Sequence, residues 1–120
     1  MGQHYKDLIV WQKSIELAKQ VYLLVKKLPQ EELFALSDQM RRAVVSIPSN
    51  IAEGQARDSK KEFIHFLSIA MGSASELETH LLLCVEIQYL TKEQVTSTLD
   101  LLCEVQKMLA GLKKSLRTDS

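Results

Sequence analysis

The side chains best suited to metal chemistry are two carboxylate–imidazole pairs. Glu62 and His65 form an ExxH motif, and Glu76 stands four residues before His80. Di-iron four-helix bundles use an ExxH on each of two helices together with a glutamate from each of the two others. No second ExxH occurs in the sequence, so half of such a site would be missing. We therefore expect no metal site.

Motifs for other kinds of catalysis do not occur either. No serine stands in a GxSxG elbow, and there is no glycine-rich phosphate-binding loop. Cys84 and Cys103 lie in apolar helical patterns without a CxxC spacing, which is typical of buried free thiols in a reducing compartment. We predict that the protein is not an enzyme and that it has no catalytic residue, no cofactor and no small-molecule substrate.

The most distinctive polar pattern lies in residues 39–57, QMRRAVVSIPSNIAEGQAR. Steps of three or four place six polar side chains on a single helical face: Gln39, Arg42, Ser46, Asn50, Glu53 and Arg57. An apolar stripe on another face continues across Pro48 in the same phase: Met40, Val44, Ile47 and Ile51. Because a break would usually reset this phase, we predict one helix that is kinked at Pro48.

Length and composition favour a single helical domain. A chain of 120 residues can bury a core without disulfides or metals, and its 46% of hydrophobic residues argues against disorder. Four glycines and two prolines are too few for a many-stranded β fold. The N-terminus does not resemble a signal peptide, and no apolar run is long enough to span a bilayer. We therefore expect a cytoplasmic protein with no membrane partner.

Hydrophobic periodicity predicts four helices, at about residues 7–28, 37–56, 60–89 and 92–117. Capping-box sequences begin the third helix at Ser59 and the fourth at Thr91, and Pro29 ends the first. Short connections favour antiparallel neighbours. The predicted fold is therefore all-α, an antiparallel up-down-up-down four-helix bundle that occupies residues 1–120 as one domain.

The first predicted helix carries two adjacent apolar seams. One consists of Leu8, Trp11, Ile15, Ala18, Tyr22 and Val25. The other, which includes one serine, consists of Val10, Ser14, Leu17, Val21, Leu24 and Leu28. Two seams are wider than one bundle core requires. Either the helix is deeply buried, or one seam packs inside the bundle while the other contacts another subunit. We favour the subunit contact, because an uncovered second seam would leave a large exposed apolar patch.

The register of the second and third helices follows from uniform helical rise on either side of a turn near residues 57–58. Level residues then have numbers that sum to about 115. Arg41 and Arg42 would lie beside Ser73 and within one turn of Glu76, so we predict a charge-assisted contact of one of these arginines with Glu76. We interpret the polar residues of both helices as an architectural seam, with Asn50 and Glu53 as the best candidates for buried or interface positions. The seam comprises Gln39, Arg41, Arg42, Asn50, Glu53, Arg57, Ser73 and Glu76.

Residues 47–54, IPSNIAEG, preceded by residues 39–43, QMRRA, closely resemble the signature of the 23S rRNA intervening-sequence protein family, whose members are also described as ribosomal-protein-like. The resemblance runs from about residue 7 to residue 112 and includes Leu8, Trp11 and Arg57. It implies a bacterial up-down four-helix bundle that assembles into a ring-shaped homopentamer. It also implies that some members are encoded in sequences that interrupt large-subunit rRNA genes.

A related branch resembles this fold and works with RNA. These are the accessory variability proteins of diversity-generating retroelements, which act with a reverse transcriptase and its template RNA through a basic surface. The present chain departs from that pattern, because its 15 basic and 15 acidic residues cancel. Two functions stay open. One is a non-enzymatic oligomeric scaffold or adaptor that works with RNA or an RNA-binding protein. The other is direct RNA binding through a ring surface. The positive charges of Arg57, Lys60 and Lys61 would be repeated there in every subunit by symmetry.

Overall fold

Four α-helices account for most of the computed structural model, which describes residues 4–118. They are α1 (Ile9–Val25), α2 (Leu36–Gln55), α3 (Lys60–Glu86) and α4 (Lys92–Thr118). Short 3-10 turns, Tyr5–Asp7 and Gln30–Glu32, precede α1 and α2. No β-strand occurs within residues 4–118, so the prediction of an all-α fold is confirmed.

The helices pack side by side around one apolar core. α1 contacts α2 and α4, and α3 contacts the same two helices, so α1 and α3 occupy diagonal corners. The molecule measures 46 × 24 × 20 Å, as expected when helices of this length share one long axis. This packing is that of a four-helix bundle. The up-down-up-down order of the whole chain and the kink at Pro48 stay predictions.

The two apolar seams of α1 differ in burial. Every member of the second seam is buried: Val10, Ser14, Leu17, Val21, Leu24 and Leu28. In the first seam only Val25 is buried, whereas Ile15 and Tyr22 expose 37% and 42% of their surfaces. The core therefore uses one seam and leaves much of the other open.

α1 ends earlier than its periodicity indicated. It stops at Val25 rather than near residue 28. The amides of Lys27 and Leu28 bond carbonyls three residues back, at 2.9 and 3.1 Å, instead of four residues back. This tightening is common in a last helical turn, and Pro29 follows it directly.

α3 also ends earlier, at Glu86 rather than near residue 89. Gln88 adopts a left-handed φ of 69°, and the Tyr89 amide bonds the Cys84 carbonyl at 2.9 Å. This is the bonding of a Schellman motif, in which glycine usually holds the left-handed position. The apolar pattern continued past residue 86, so only the left-handed residue marks the true end.

Replacing Gln88 with glycine should raise the free energy of unfolding by about 0.5–1 kcal/mol, because glycine adopts the left-handed region without steric cost. Chemical denaturation of the variant and the wild type measures the change. Gln88→Ala is the matched control and should have little effect, since alanine keeps a Cβ at that position. A glycine variant less stable than the alanine variant would contradict the prediction.

α2 and α3 approach each other closely at Gly54, the glycine of the IPSNIAEG string. A Cβ at this position would lie 2.8 Å from the Cβ of Phe66 and 3.0 Å from Cδ1 of Phe63. Gly54 is buried in the last turn of α2. Its small size is therefore required by the contact between the two helices.

Candidate interaction site

A polar junction between α2 and α3 centres on Ser46. The hydroxyls of Ser46 and Ser73 lie 2.7 Å apart, and the Asn50 side-chain amide donates to the Ser46 carbonyl at 2.8 Å and to the Ser46 hydroxyl at 2.9 Å. All three side chains are partly buried. The Ser46–Ser73 bond links the two helices, whereas both Asn50 bonds lie within α2, so the junction contributes to helix register through Ser46.

The predicted contact of an arginine with Glu76 is wrong. The Arg42 guanidinium bonds Asp38 one turn back on α2, at 3.0 Å, and Arg41 donates to the Leu33 carbonyl at 3.2 Å. Both partners lie close by along the chain, so they can be reached without ordering a long side chain across to α3.

The predicted register is also wrong, by about one helical turn. Ser46, rather than Arg41 or Arg42, lies opposite Ser73. The prediction assumed that both helices rise uniformly from the connecting turn, and it therefore missed the offset between them along their axes.

Arg57 joins the end of α2 to the beginning of α3. Its guanidinium bonds Glu53 at 2.7 Å and Glu62 at 3.3 Å, and it lies 5.0 Å from the centre of the Phe66 ring. These partly exposed contacts contribute on the order of 1 kcal/mol or less each. The charge of Arg57 is therefore already matched by two carboxylates.

The carboxylate–imidazole pairs have partners that differ from those of a metal site. Glu62 bonds Arg57, and His65 packs its ring edge-on against Phe66 at 5.4 Å between centroids. His80 is buried beside Glu76, with 4.0 Å between Nε2 and Oε2, while its Nδ1 bonds no group that the structure describes. No group of three possible metal ligands comes together within residues 4–118.

The two cysteines occupy different environments. Cys84 is fully buried, with its Sγ 3.8 Å from the Sδ of Met40. Cys103 is exposed on α4, so its predicted burial is wrong. The buried stripe of α4 includes Leu102 and Val105, and Cys103 points away from it.

Cys103 should react with iodoacetamide in the folded protein, whereas Cys84 should react only after unfolding. Burial, with a smaller contribution from the negative charge of Glu32, raises the pKa of the Cys84 thiol to about 11. Almost none of it is therefore the reactive thiolate at neutral pH. Mass spectrometry of peptides from protein labelled before and after unfolding measures the extent of labelling at each cysteine. Equal labelling of the two cysteines in the folded protein would contradict the burial of Cys84.

A shallow apolar groove runs along the outer side of α1. We call it the α1 groove and define it by its lining: Ile15, Ala18, Lys19, Tyr22, Leu23 and Lys26. Leu23 exposes 61% of its surface there. The apolar surface continues toward α2, where Val45 is 42% exposed and Pro48 lines a second groove together with Trp11. Contiguous apolar surface of this kind is typical of contacts with other macromolecules.

The connector between α1 and α2 contributes residues that the sequence did not single out. Phe34 is 91% exposed, and Glu32 accepts a hydrogen bond from the Tyr89 hydroxyl at 2.9 Å. This bond to Glu32 raises the pKa of Tyr89. Phe34 lies outside every helical period, so periodicity carried no signal for it.

The helix arrangement and the packing of the core define a small helical-bundle protein. Residues 6–111 match the family described as 23S rRNA-intervening sequence protein. The chain therefore belongs to the 23S rRNA-intervening sequence protein family, as the IPSNIAEG signature predicted.

A solved structure supports this membership. It is the crystal structure of a protein of unknown function from the S23 ribosomal protein family of Bacteroides thetaiotaomicron. The two chains share 34% identity and superpose with a TM-score of 0.82, over 88% of this chain and 99% of the other. None of the curated proteins matches this chain. Over residues 4–118, no helix combines the length and apolar character that crossing a membrane requires.

Proposed function

We propose that the protein is a non-enzymatic homo-oligomeric scaffold or adaptor that works within an RNA–protein complex in the bacterial cytoplasm. Its contacts would be made first with copies of itself and then with RNA or an RNA-binding protein. The free thiols fit a reducing compartment such as the cytoplasm. The polar groups of α2 and α3 bind one another, which favours an architectural role for them over a chemical one.

The observation that carries this proposal is the open apolar seam of α1. The other seam already fills the core, so Ile15 and Tyr22 of the open seam, and Leu23 beside them, stay exposed in the folded single chain. Removing apolar surface from water is favourable by roughly 25 cal/mol per Å². A second copy of the protein would cover this surface, and a homopentamer is the assembly that the family resemblance implied.

The native mass of the purified full chain tests the proposal. We expect a discrete oligomer, and a pentamer would have five times the 13.6 kDa of one chain. A protein that stays monomeric at micromolar concentration would overturn the scaffold proposal. Light scattering across a dilution series would measure the mass together with the strength of the association.

A second candidate function, direct RNA binding, is favoured by the position of the basic residues. Leu8 and Met108 line one groove, and Trp11 and Ala52 line another, so the start of α1 and the ends of α2 and α4 meet at one end of the bundle. α3 begins at the same end. Basic side chains at this end outnumber the carboxylates Asp7, Glu53, Asp58 and Glu62; they are Lys6, Arg57, Lys60, Lys61, Lys113, Lys114 and Arg117. A chain of zero net charge can therefore have a basic end, and a ring would repeat that end around one rim.

Salt-dependent retention of structured RNA tests the second candidate. Phosphate contacts by lysine release counterions, so binding should weaken steeply as salt rises. Lys113→Glu together with Lys114→Glu should reduce RNA retention. The control, Lys27→Glu together with Lys92→Glu, makes the same change in net charge at the other end of the bundle and should leave RNA retention unchanged. If the wild type retains no RNA even at low ionic strength, direct binding is ruled out and the scaffold proposal stands alone.

A further inference from the structure

Phe34 is exposed to an extent that is unusual for a large aromatic side chain. It exposes 91% of its surface, and the adjacent Leu33 exposes 40%. Both lie in the connector between α1 and α2, at the end of the bundle opposite the basic residues. The connector therefore presents an apolar projection to solvent.

Hydrogen bonds fix the backbone on both sides of this projection. Glu32 accepts from the Tyr89 hydroxyl at 2.9 Å and from the Leu36 amide at 3.4 Å. Arg41 donates to the Leu33 carbonyl at 3.2 Å. Phe34 is thus presented on an ordered segment, which lowers the entropy lost when it binds.

The α1 groove has the complementary chemistry. Its floor is apolar, and Lys26 supplies positive charge at its edge, where Lys19 is already paired with Glu16 at 3.6 Å. The connector carries Glu31, which is exposed three residues before Phe34. An apolar projection with a neighbouring negative charge matches an apolar groove with a positive edge.

We propose that Phe34 of one copy inserts into the α1 groove of a second copy, with Glu31 facing Lys26. The inference rests on the homo-oligomeric function proposed above and assigns its contact. Projection and groove are different surfaces of the same chain, so the contact is head-to-tail. Contacts of this type close into rings when the rotation between copies permits.

Phe34→Asp tests the contact, with Ile69→Asp as the matched control. Ile69 is 40% exposed on α3, the helix diagonal to α1, so it lies away from the proposed contact. We expect the Phe34 variant to become monomeric in native mass spectra while its circular dichroism and melting stay those of a folded bundle. The Ile69 variant should assemble like the wild type. An assembled wild type with an equally assembled Phe34 variant would overturn this inference alone, whereas a monomeric wild type would overturn the scaffold proposal as well.

Leu23→Asp tests the other side of the same contact. Leu23 is 61% exposed in the groove, so the substitution should leave the fold intact and abolish assembly. A mixture of the Phe34→Asp and Leu23→Asp variants should give a two-chain species, because one chain keeps the groove and the other keeps Phe34. A mixture in which both variants stay monomeric would contradict head-to-tail docking.

Discussion

Replacing Gly54 with alanine is expected to lower the free energy of unfolding by about 2 kcal/mol. The added Cβ would lie 2.8 Å from the Cβ of Phe66, and neither atom can rotate away because both are attached to the backbone. α2 and α3 would have to move apart where they meet, which weakens the packing of Phe63 as well. Chemical denaturation monitored by circular dichroism measures the loss.

Gly72→Ala provides a matched control for this substitution. Gly72 also lies in a helix, but an added Cβ there has no heavy atom within 4 Å. The higher helix propensity of alanine should stabilise this variant by up to about 1 kcal/mol. The free energy of unfolding should therefore fall in the Gly54→Ala variant and rise in the Gly72→Ala variant. A Gly54 variant as stable as the Gly72 variant would show that the helices do not approach closely at Gly54.

Replacing Asn50 with leucine is expected to lower the free energy of unfolding by about 1–2 kcal/mol. The substitution removes two hydrogen bonds to Ser46 and leaves the partly buried Ser46 hydroxyl with Ser73 alone. Thermal and chemical unfolding of the variant measure the stability change, and its native mass shows whether assembly is affected.

Gln39→Leu is the control for the Asn50 substitution. Gln39 lies on the same predicted polar face of α2 but is exposed. Its substitution should change stability by less than about 0.5 kcal/mol. Combining Asn50→Leu with Ser73→Ala should change stability by an amount that differs from the sum of the single changes, since both remove bonds from Ser46. Unchanged stability and assembly in the Asn50 variant would mean that the polar junction is only solvated surface.

Local patterns predicted the helices because their signals lie within a few residues. The Thr91–Gln94 capping box forms in both directions, with the Gln94 amide bonding Thr91 at 3.1 Å and the Thr91 amide bonding the Gln94 side chain at 2.9 Å. Ser59 likewise caps α3 by accepting from the Glu62 amide at 3.2 Å. The Glu62 side chain, which the capping-box pattern would direct back to the Ser59 amide, bonds Arg57.

The parts that the sequence did not predict depend on tertiary geometry. Because α2 and α3 are offset along their axes, Ser46 lies opposite Ser73, where Arg41 or Arg42 was predicted to lie. A long arginine side chain can also reach several hydrogen-bond acceptors, so the sequence does not predict which of them it binds. Phe34 is exposed because the connector is held by Glu32 and Arg41, and no periodic pattern records such a constraint.

Hydroxyl-radical footprinting of the native protein tests most directly whether the apolar surface of α1 is a contact between subunits. Phe34 and Tyr22 are 91% and 42% exposed on the single chain, and aromatic rings at such exposure oxidise readily. We predict that both are strongly protected in the native protein and that both become reactive in the Leu23→Asp variant. Rapid oxidation of Phe34 in an intact oligomer would contradict the proposed contact.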